Sequence, residues 1–271
     1  MLSMTPTPPV KTTTTGLTVR RDGAILHLIL DKAPGNTLDI PLMRAISATV
    51  KQAAAQSAPD RPRVMVLSSA VPGQFSQGID PAAILTTDVP GRLEVFLALG
   101  ELDETIWFSG IPLVADISGP ALAGGAVLAT LADFAVIDAA AGKIGFSEVK
   151  VGLPLPAFVQ ELIKRRINPA GWSEVMLLGK NIDAAEALRL GFAQAAYSGE
   201  EQRQAAIGGV VGRIARIAPA VMTANLLEGR RHDRQWFADF KTDLQSFSQF
   251  LTDEYLGRGL TAVVRGQSPK F

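Results

Sequence analysis

The chain has 271 residues, 47% hydrophobic and 19% charged, enough to bury a sizeable core in one large domain or two modest ones. Its 26 basic and 26 acidic side chains cancel, so net charge offers no case for nucleic acid or a membrane surface as partner. Cysteine is absent, which excludes disulfides, thiol nucleophiles and Cys-ligated metal and fits a reducing, cytoplasmic setting.

The first 15 residues, "MLSMTPTPPVKTTTT", are rich in Pro and Thr and lack an apolar segment. They read as a disordered tail rather than a signal peptide. No stretch of about 18 apolar residues free of breakers follows, so no membrane span is expected. From Leu17 the pattern becomes regular. "LTVRR" and "AILHLIL" flank Asp22-Gly23 and predict a tight hairpin. Asp39 is placed to cap a helix over "IPLMRAISATVKQAAA". "RVMVLSSA" is a short, nearly all-apolar run, typical of a strand buried on both faces, and "IPLVADI" reads as another buried strand. Between them lie a Gly-rich loop and a helix near Gly91 to Phe108. "DFAVID", "KIGF" and "FAQAAYS" read as further strands, with helices filling most of Leu155 to Leu190. Strands alternating with helices predict an α/β fold with largely parallel pairing. After residue 198 the strand signal ends and helical patterns run to the C-terminus. The expected organisation is a tail over 1–15, an α/β core over 16–198 and a helical segment over 199–271. The basic runs Lys164-Arg165-Arg166 and Arg230-Arg231 read as solvated helix faces.

Familiar catalytic sets are missing. The two histidines, His27 and His232, read as structural, so a Ser-His-Asp triad or a His-based metal site is not expected. Neither GxGxxG after a strand nor GxxxxGK[ST] occurs, which disfavours dinucleotide and P-loop chemistry. Three stretches remain. "GQFSQGID", Gly73 to Asp80, is a polar Gly loop at the end of a buried strand, where α/β proteins place sites. "SGPALAGGAV" sets glycine at a strand-to-helix junction, where backbone N–H groups can approach a ligand. If the two loops face each other they aim two N–H groups at one oxygen, an oxyanion hole for a developing enolate. Each loop alone reads equally well as a tight turn. In "GFSEVKVGLPLPAF", Glu148 lies between an apolar strand and a proline-rich turn. Desolvation there raises a carboxyl pKa and suits a proton shuttle near neutral pH. An exposed glutamate at a helix start, paired with Lys150, fits the same residues.

In this order and spacing the three stretches resemble the crotonase (enoyl-CoA hydratase/isomerase) superfamily. "FSQGID" is similar to its F-x-x-G-x-D loop, "SGPALAGGAVLATLAD" to its N-G-x-A-x-G-G-G-x-E-L-A-x-x-x-D segment and "KIGFSEVKVGL" to its x-F-x-x-P-E-x-x-x-G segment. Weaker echoes are "APGNTLD", "AAEALRLGFAQ" and the tail "RGQSPKF". The resemblance implies a spiral of ββα turns with a C-terminal helical trimerisation segment. It implies an acyl-CoA substrate and an assembly of trimers or hexamers built as dimers of trimers. It also implies no bound cofactor beyond the coenzyme A that the substrate carries, and no metal. Matched position by position, the oxyanion donors fall on the N–H groups of Ile79 and Gly124. The catalytic acid falls on Glu148. Gln77, Gly78, Asp80, Gly125 and Val127 fall in the substrate pocket. Asp80 matches the loop aspartate, in a structural role, and Asp133 the terminal aspartate of its segment. Pro81 and Ala82 stand where many members carry Ile and Lys, which leaves Lys32 and Lys270 as the cations for the coenzyme A phosphates.

The departures bear on the reaction. Hydratases of the family carry a second glutamate where this chain has Val127. Hydration divides water activation and proton delivery between two carboxyl groups, whereas moving a double bond needs one base. "AGGAV" and "GLPLPAF" also resemble the Δ3,Δ2-enoyl-CoA isomerases more than the hydratases. The expected reaction is therefore a 3-enoyl to 2-enoyl shift. A hydratase or other thioester lyase or hydrolase is the alternative among enzymes, and a non-catalytic acyl-CoA-binding subunit the alternative outside them. Retention of Glu148 argues against the last.

Overall fold

The computed structural model describes residues 10–12 and 15–271. Strand β1 (Val10–Thr12) pairs antiparallel with β2 (Leu17–Asp22), so part of the expected tail is ordered against the sheet; residues 1–9 and 13–14 of that tail lie outside the described residues. The hairpin forms as expected, with Gly23 at φ 54° letting β2 turn directly into β3 (Ile25–Leu30). Helix α1 (Ile40–Ala55) starts where Asp39 Oδ1 accepts the N–H of Leu42, and it buries Leu42, Met43, Ile46 and Val50 along one stripe.

Next come β4 (Val64–Ser69), α2 (Pro81–Leu85), α3 (Val89–Trp107) and β5 (Leu113–Ile117). They are followed by β6 (Pro120–Leu122), α4 (Gly124–Thr130), β7 (Phe134–Asp138) and β8 (Lys143–Gly145). Helix α5 (Ala157–Arg166), β9 (Ile182–Asp183), α6 (Ala184–Arg189) and β10 (Ala195–Tyr197) complete the α/β body. The seven-stranded main sheet runs β1-β2-β3-β4-β5-β7-β10, parallel from β3 onward. A second sheet, β6-β8-β9, stands apart from it. The chain leaves β5, crosses to β6, and returns through α4 to β7. Each turn of this ββα path adds one strand to the main sheet and brings a short strand to the second.

The C-terminal segment is helical, in more pieces than its apolar pattern predicts: α7 (Gly199–Ile214), α8 (Pro219–Gly229), α9 (Arg234–Thr242), α10 (Leu244–Ser248) and α11 (Arg258–Val264). Phe237, Phe240 and Phe247 carry it onto α3 and α5, with the Phe158 ring 4.9 Å from Phe237 and 5.1 Å from Phe240.

The basic runs are not plain solvated faces. Arg230 is buried, its guanidinium stacked 3.8 Å from the Trp107 ring centroid, paired with Asp133 and donating to the Trp107 carbonyl at 2.7 Å. Arg165 pairs with the fully buried Asp233 at 2.6 Å. Arg166 is desolvated beside Asp133 and packs over the Phe192 ring. A basic run looks alike in sequence whether its cations point out or in; here the carboxylates that receive Arg165 and Arg230, Asp233 and Asp133, come from distant segments. Asp133 thus has the structural role expected of it, tying α8 to the start of β7 through Arg230. Arg230→Ala would leave Asp133 without its cation in the protein interior and is expected to cost about 3–5 kcal/mol in chemical denaturation.

Candidate active site

The site starts from a backbone crossing. The loop after β4 runs between Gly35–Leu38 on one side and β6 on the other. Gln77 donates its N–H to the Gly35 carbonyl at 2.9 Å and Leu38 to the Gly78 carbonyl at 2.9 Å. On the other side Phe75 and Ser76 donate to Pro120, and Leu122 donates to the Ser76 carbonyl at 2.9 Å. The buried Ser76 hydroxyl donates to the Asn36 carbonyl at 2.8 Å and accepts the Gly78 N–H at 3.2 Å. Three segments far apart in sequence are therefore stitched into one short ladder.

At the end of that ladder the two glycine stretches meet. Gly78 has φ 77°, and a Cβ there would lie 2.7 Å from the Gly124 nitrogen and 2.8 Å from the Leu122 carbonyl oxygen. A Cβ on Gly125 would lie 2.2 Å from the Ser76 carbonyl oxygen, which is why the doublet precedes an apolar helix. Between them Ala123 holds φ 47° and ψ −126°, a region that L residues rarely adopt and that surrounding contacts must enforce. This conformation turns the Gly124 N–H toward the loop. The N–H groups of Ile79 and Gly124 donate to no other group among the described residues, and both residues line the same cavity. Two free amide donors side by side can hold one oxygen that gains negative charge.

Strand pairing brings the carboxyl to them. β6 runs parallel to β8, with Leu122 opposite Gly145, and Ala123 donates to the Gly145 carbonyl at 2.8 Å. Three residues on, Glu148 opens a 3-10 turn (Glu148–Val151). Its side chain is buried and lines the cavity, and its Oε2 has no hydrogen-bond partner. Burial raises its pKa from the ordinary 4.5 to about 7, an effect that its own backbone N–H partly offsets. The exposed, Lys150-paired alternative for this residue does not hold, because Glu148 is buried and its Oε2 is unpartnered.

The cavity holds about 450 Å³. Phe96, Leu99, Ile84, Leu122 and Leu153 give it apolar walls, and Leu256, Leu260 and Val263 roof it from the C-terminal segment. It narrows into a smaller recess where Val127 and Glu148 both line the wall with Phe158, Val159 and Phe240. Glu148 is the one acid among the residues that line either space.

Of the other residues singled out in sequence, Gln77 lines the cavity, whereas Gly78 and Gly125 shape it from behind. Asp80 caps α2, its Oδ1 accepting the Ala82 N–H at 2.9 Å, and does not line the cavity. Lys32 is bound to Asp39 at 2.6 Å and lines neither space. Lys270 lines an adjoining surface cleft together with Arg258 and Arg265. Gln267 and Ser268 border both that cleft and the cavity, so the two are continuous. Arg258, Arg265 and the roof residues were not singled out in sequence. The spacing of Leu256, Leu260 and Val263 at i, i+4 and i+7 marks an apolar stripe, but nothing local says that the stripe faces a site. His27, half-buried beside Arg20, is pushed down to about 4 by desolvation and lies on β3, away from the cavity. Among the described residues no cluster of potential metal ligands occurs.

Two outcomes test this geometry. Gly78→Ala forces a side chain into a left-handed position and against the Gly124 amide. It is expected to lower turnover by about 10²–10³-fold, as loss of one oxyanion donor does, and to lower the unfolding midpoint. For Glu148, activity that needs the carboxylate should rise with pH through about 7. Stability should respond oppositely. The folded state holds the proton more tightly than the unfolded chain, so stability falls as pH rises from 4.5 to about 7 and is flat above. Glu148→Gln should remove this slope and gain about 3 kcal/mol at pH 8, as followed by urea unfolding across pH.

The chain is similar to known proteins of one family. The enoyl-CoA hydratase/isomerase family profile matches residues 20–271. A probable enoyl-CoA hydratase of Mycobacterium leprae is 27% identical over 248 residues, covering 87% of this chain and 89% of that protein. The human mitochondrial enoyl-CoA delta isomerase 1 is 23% identical over 199 residues, covering 73% of this chain and 66% of that protein. The crystal structure of the human mitochondrial delta3-delta2-enoyl-CoA isomerase superposes with a TM-score of 0.85 at 21% identity, covering 93% of this chain and 97% of that one. That of an enoyl-CoA hydratase from Bacillus halodurans gives 0.81 at 19%, covering 91% and 99%. With its fold shared by both kinds of enzyme and the family profile spanning nearly all of its length, the chain belongs to the enoyl-CoA hydratase/isomerase family.

Proposed function

We propose that the protein shifts the double bond of an acyl-CoA thioester from the 3,4 to the 2,3 position. The observation that carries this reading is the pairing of Val127 with Glu148 in one apolar recess that offers a single carboxyl group. Hydration needs a water held and activated on one side of the double bond while a proton is delivered to the other. A valine methyl group can do neither. One carboxyl group suffices for the shift if it reaches both carbons in turn.

In this mechanism the thioester oxygen accepts hydrogen bonds from the N–H groups of Ile79 and Gly124. The Glu148 carboxylate takes a proton from C2 of the 3-enoyl group. The electron pair released at C2 delocalises over the thioester carbonyl and the double bond, giving a dienolate whose oxygen the two amides stabilise. Glu148, now protonated, returns the proton at C4, and the 2-enoyl thioester leaves with the carboxylate restored. A pKa near 7 suits both halves of the cycle, because the group must give up the proton as readily as it takes it. Burial keeps bulk water from competing for the dienolate.

The cationic cleft that adjoins the cavity supports a coenzyme A thioester as the substrate. Arg258, Arg265 and Lys270 can meet its phosphates while the acyl group enters past Gln267 and Ser268. Lys32, committed to Asp39, is not part of this reading. An oligomer is supported by α8, which has no buried residue and leaves Val221 and Leu227 exposed next to Ile217.

The test is incubation with 3-enoyl-CoA and 2-enoyl-CoA in parallel, followed by chromatography of the thioesters. The expected outcome is conversion of the 3-enoyl to the 2-enoyl form, with hydration of the 2-enoyl form slower by orders of magnitude. Glu148→Gln should abolish turnover and keep thioester binding. Rapid hydration without a double-bond shift would sink the isomerase reading, and turnover indifferent to Glu148→Gln would sink its mechanism.

A further inference from the structure

Asp103 is the most anomalous group in the protein. It sits inside α3 with no exposed surface, and neither of its carboxyl oxygens has a hydrogen-bond partner. Burying a polar group without a partner leaves its desolvation uncompensated, so such a group calls for an explanation. The other fully buried aspartates are compensated. Asp116 accepts from the Tyr197 hydroxyl at 2.7 Å and from Arg203 Nε at 2.7 Å. Asp233 accepts from Trp107 Nε1 at 3.0 Å and from Arg165 at 2.6 Å. Among the described residues the one other acid with an unpartnered buried oxygen is Glu148, which lines the cavity.

Helical phase places Asp103 with respect to that cavity. At about 100° per residue it lies about 20° around α3 from Phe96 and about 40° from Leu99, on the stripe that faces the cavity. Both Phe96 and Leu99 line the cavity and its inner recess. Asp103 is four residues, about 6 Å, further along the helix than Leu99. The rings of Phe158 and Phe240, which line the recess, meet α3 at Gly100. The cavity lining therefore runs along α3, and its inner recess of about 20 Å³, room for one small polar group, lies about one turn from an unpartnered carboxyl group that itself lines neither space. Nothing in the proposed double-bond shift uses that group. Desolvation alone pushes its pKa well above the ordinary aspartate range, which favours the protonated carboxylic acid, a group that both donates and accepts a hydrogen bond.

We propose that Asp103 is a distal polar anchor of the acyl pocket, and that the preferred acyl group carries a hydroxyl or similar hydrogen-bonding group beyond its reacting carbons. A purely hydrocarbon tail would leave the carboxyl unpaired in the complex, whereas a tail hydroxyl that passes the Phe158 and Phe240 rings would satisfy it. Discrimination of this kind is strong, because the site loses its only compensation when the polar group is missing. The proposal rests on the reading of the cavity as an acyl pocket, and does not depend on which reaction occurs there.

The test compares CoA thioesters in pairs of equal chain length, one ending in methyl and the other in a terminal hydroxyl, over a series of lengths. Binding is measured by calorimetry and turnover by chromatography, for the wild type and for Asp103→Leu. The wild type should bind the hydroxylated member at least about tenfold more tightly at one chain length, and Asp103→Leu should erase or reverse that ratio. Asp103→Ala serves the same comparison if the leucine variant does not fold. A wild type without preference at any length would overturn the proposal. So would a variant that gains thermal stability and keeps the wild-type ratio, which would assign Asp103 to the core. If the binding ratio behaves as expected while neither thioester is isomerised, the isomerase reading fails and the anchor stands.

Discussion

The site depends on one contact, the backbone-to-backbone approach of the loop after β4 to the β6–α4 junction. Ordinary side chains hold chain segments apart. Here Gly78 and Gly125 remove that spacing, and the peptide groups of two distant segments come within hydrogen-bonding reach. The approach fixes three things together. It orders the loop against β6, it forces Ala123 into its rare conformation, and it leaves the Ile79 and Gly124 amides adjacent and unused. A side chain could supply a donor too, but it would have to be ordered at each turnover. Amides fixed by a sheet ladder need no such reorganisation, which is why preorganised dipoles act so strongly on a developing charge.

The second sheet extends the same logic to the carboxyl group. Its three strands are short, and their contribution to the core is small beside that of the seven-stranded sheet. Their effect is positional: parallel pairing of β6 with β8 carries Glu148 to the amides that β6 leads into. The apolar walls then set the chemistry of that group. Desolvation brings its pKa to about 7, and Val127 rather than a second acid shares its recess. Placement and protonation thus have different sources, one in the strand register and the other in the surrounding hydrocarbon.

The C-terminal helices join the active site to the stability of the fold. Leu256, Leu260 and Val263 roof the cavity, and the segment that carries them is fastened by phenylalanine rings and by buried ion pairs at Asp133 and Asp233. Arg92 adds to this fastening. Its buried guanidinium donates to the carbonyls of Ile84 and Leu251, tying α3 to the helices on either side of the cavity. The basic residues of the adjoining cleft come from the same segment, so that basic surface is held by the core.

By itself the sequence determined the local periods and the breaks between them: the Asp22-Gly23 hairpin, the Asp39 cap, the apolar strands, the helical end and the three glycine and glutamate stretches. Each follows from interactions within a few residues, which a linear pattern records. Its family resemblance tied those stretches into one site on Ile79, Gly124 and Glu148. Only the tertiary structure decided which charges are used and where. Lys32 and Lys270 look alike as lone cations in sequence; folding pairs Lys32 with Asp39 and leaves Lys270 beside Arg258 and Arg265. The Arg230 guanidinium reads as solvated until Trp107 and Asp133 enclose it. Asp103 lies within α3, and folding buries it with neither carboxyl oxygen partnered. Partnership and desolvation depend on how the chain folds back on itself, in the case of Arg230 on Asp133 and Trp107 about a hundred residues away, and a local pattern does not encode them.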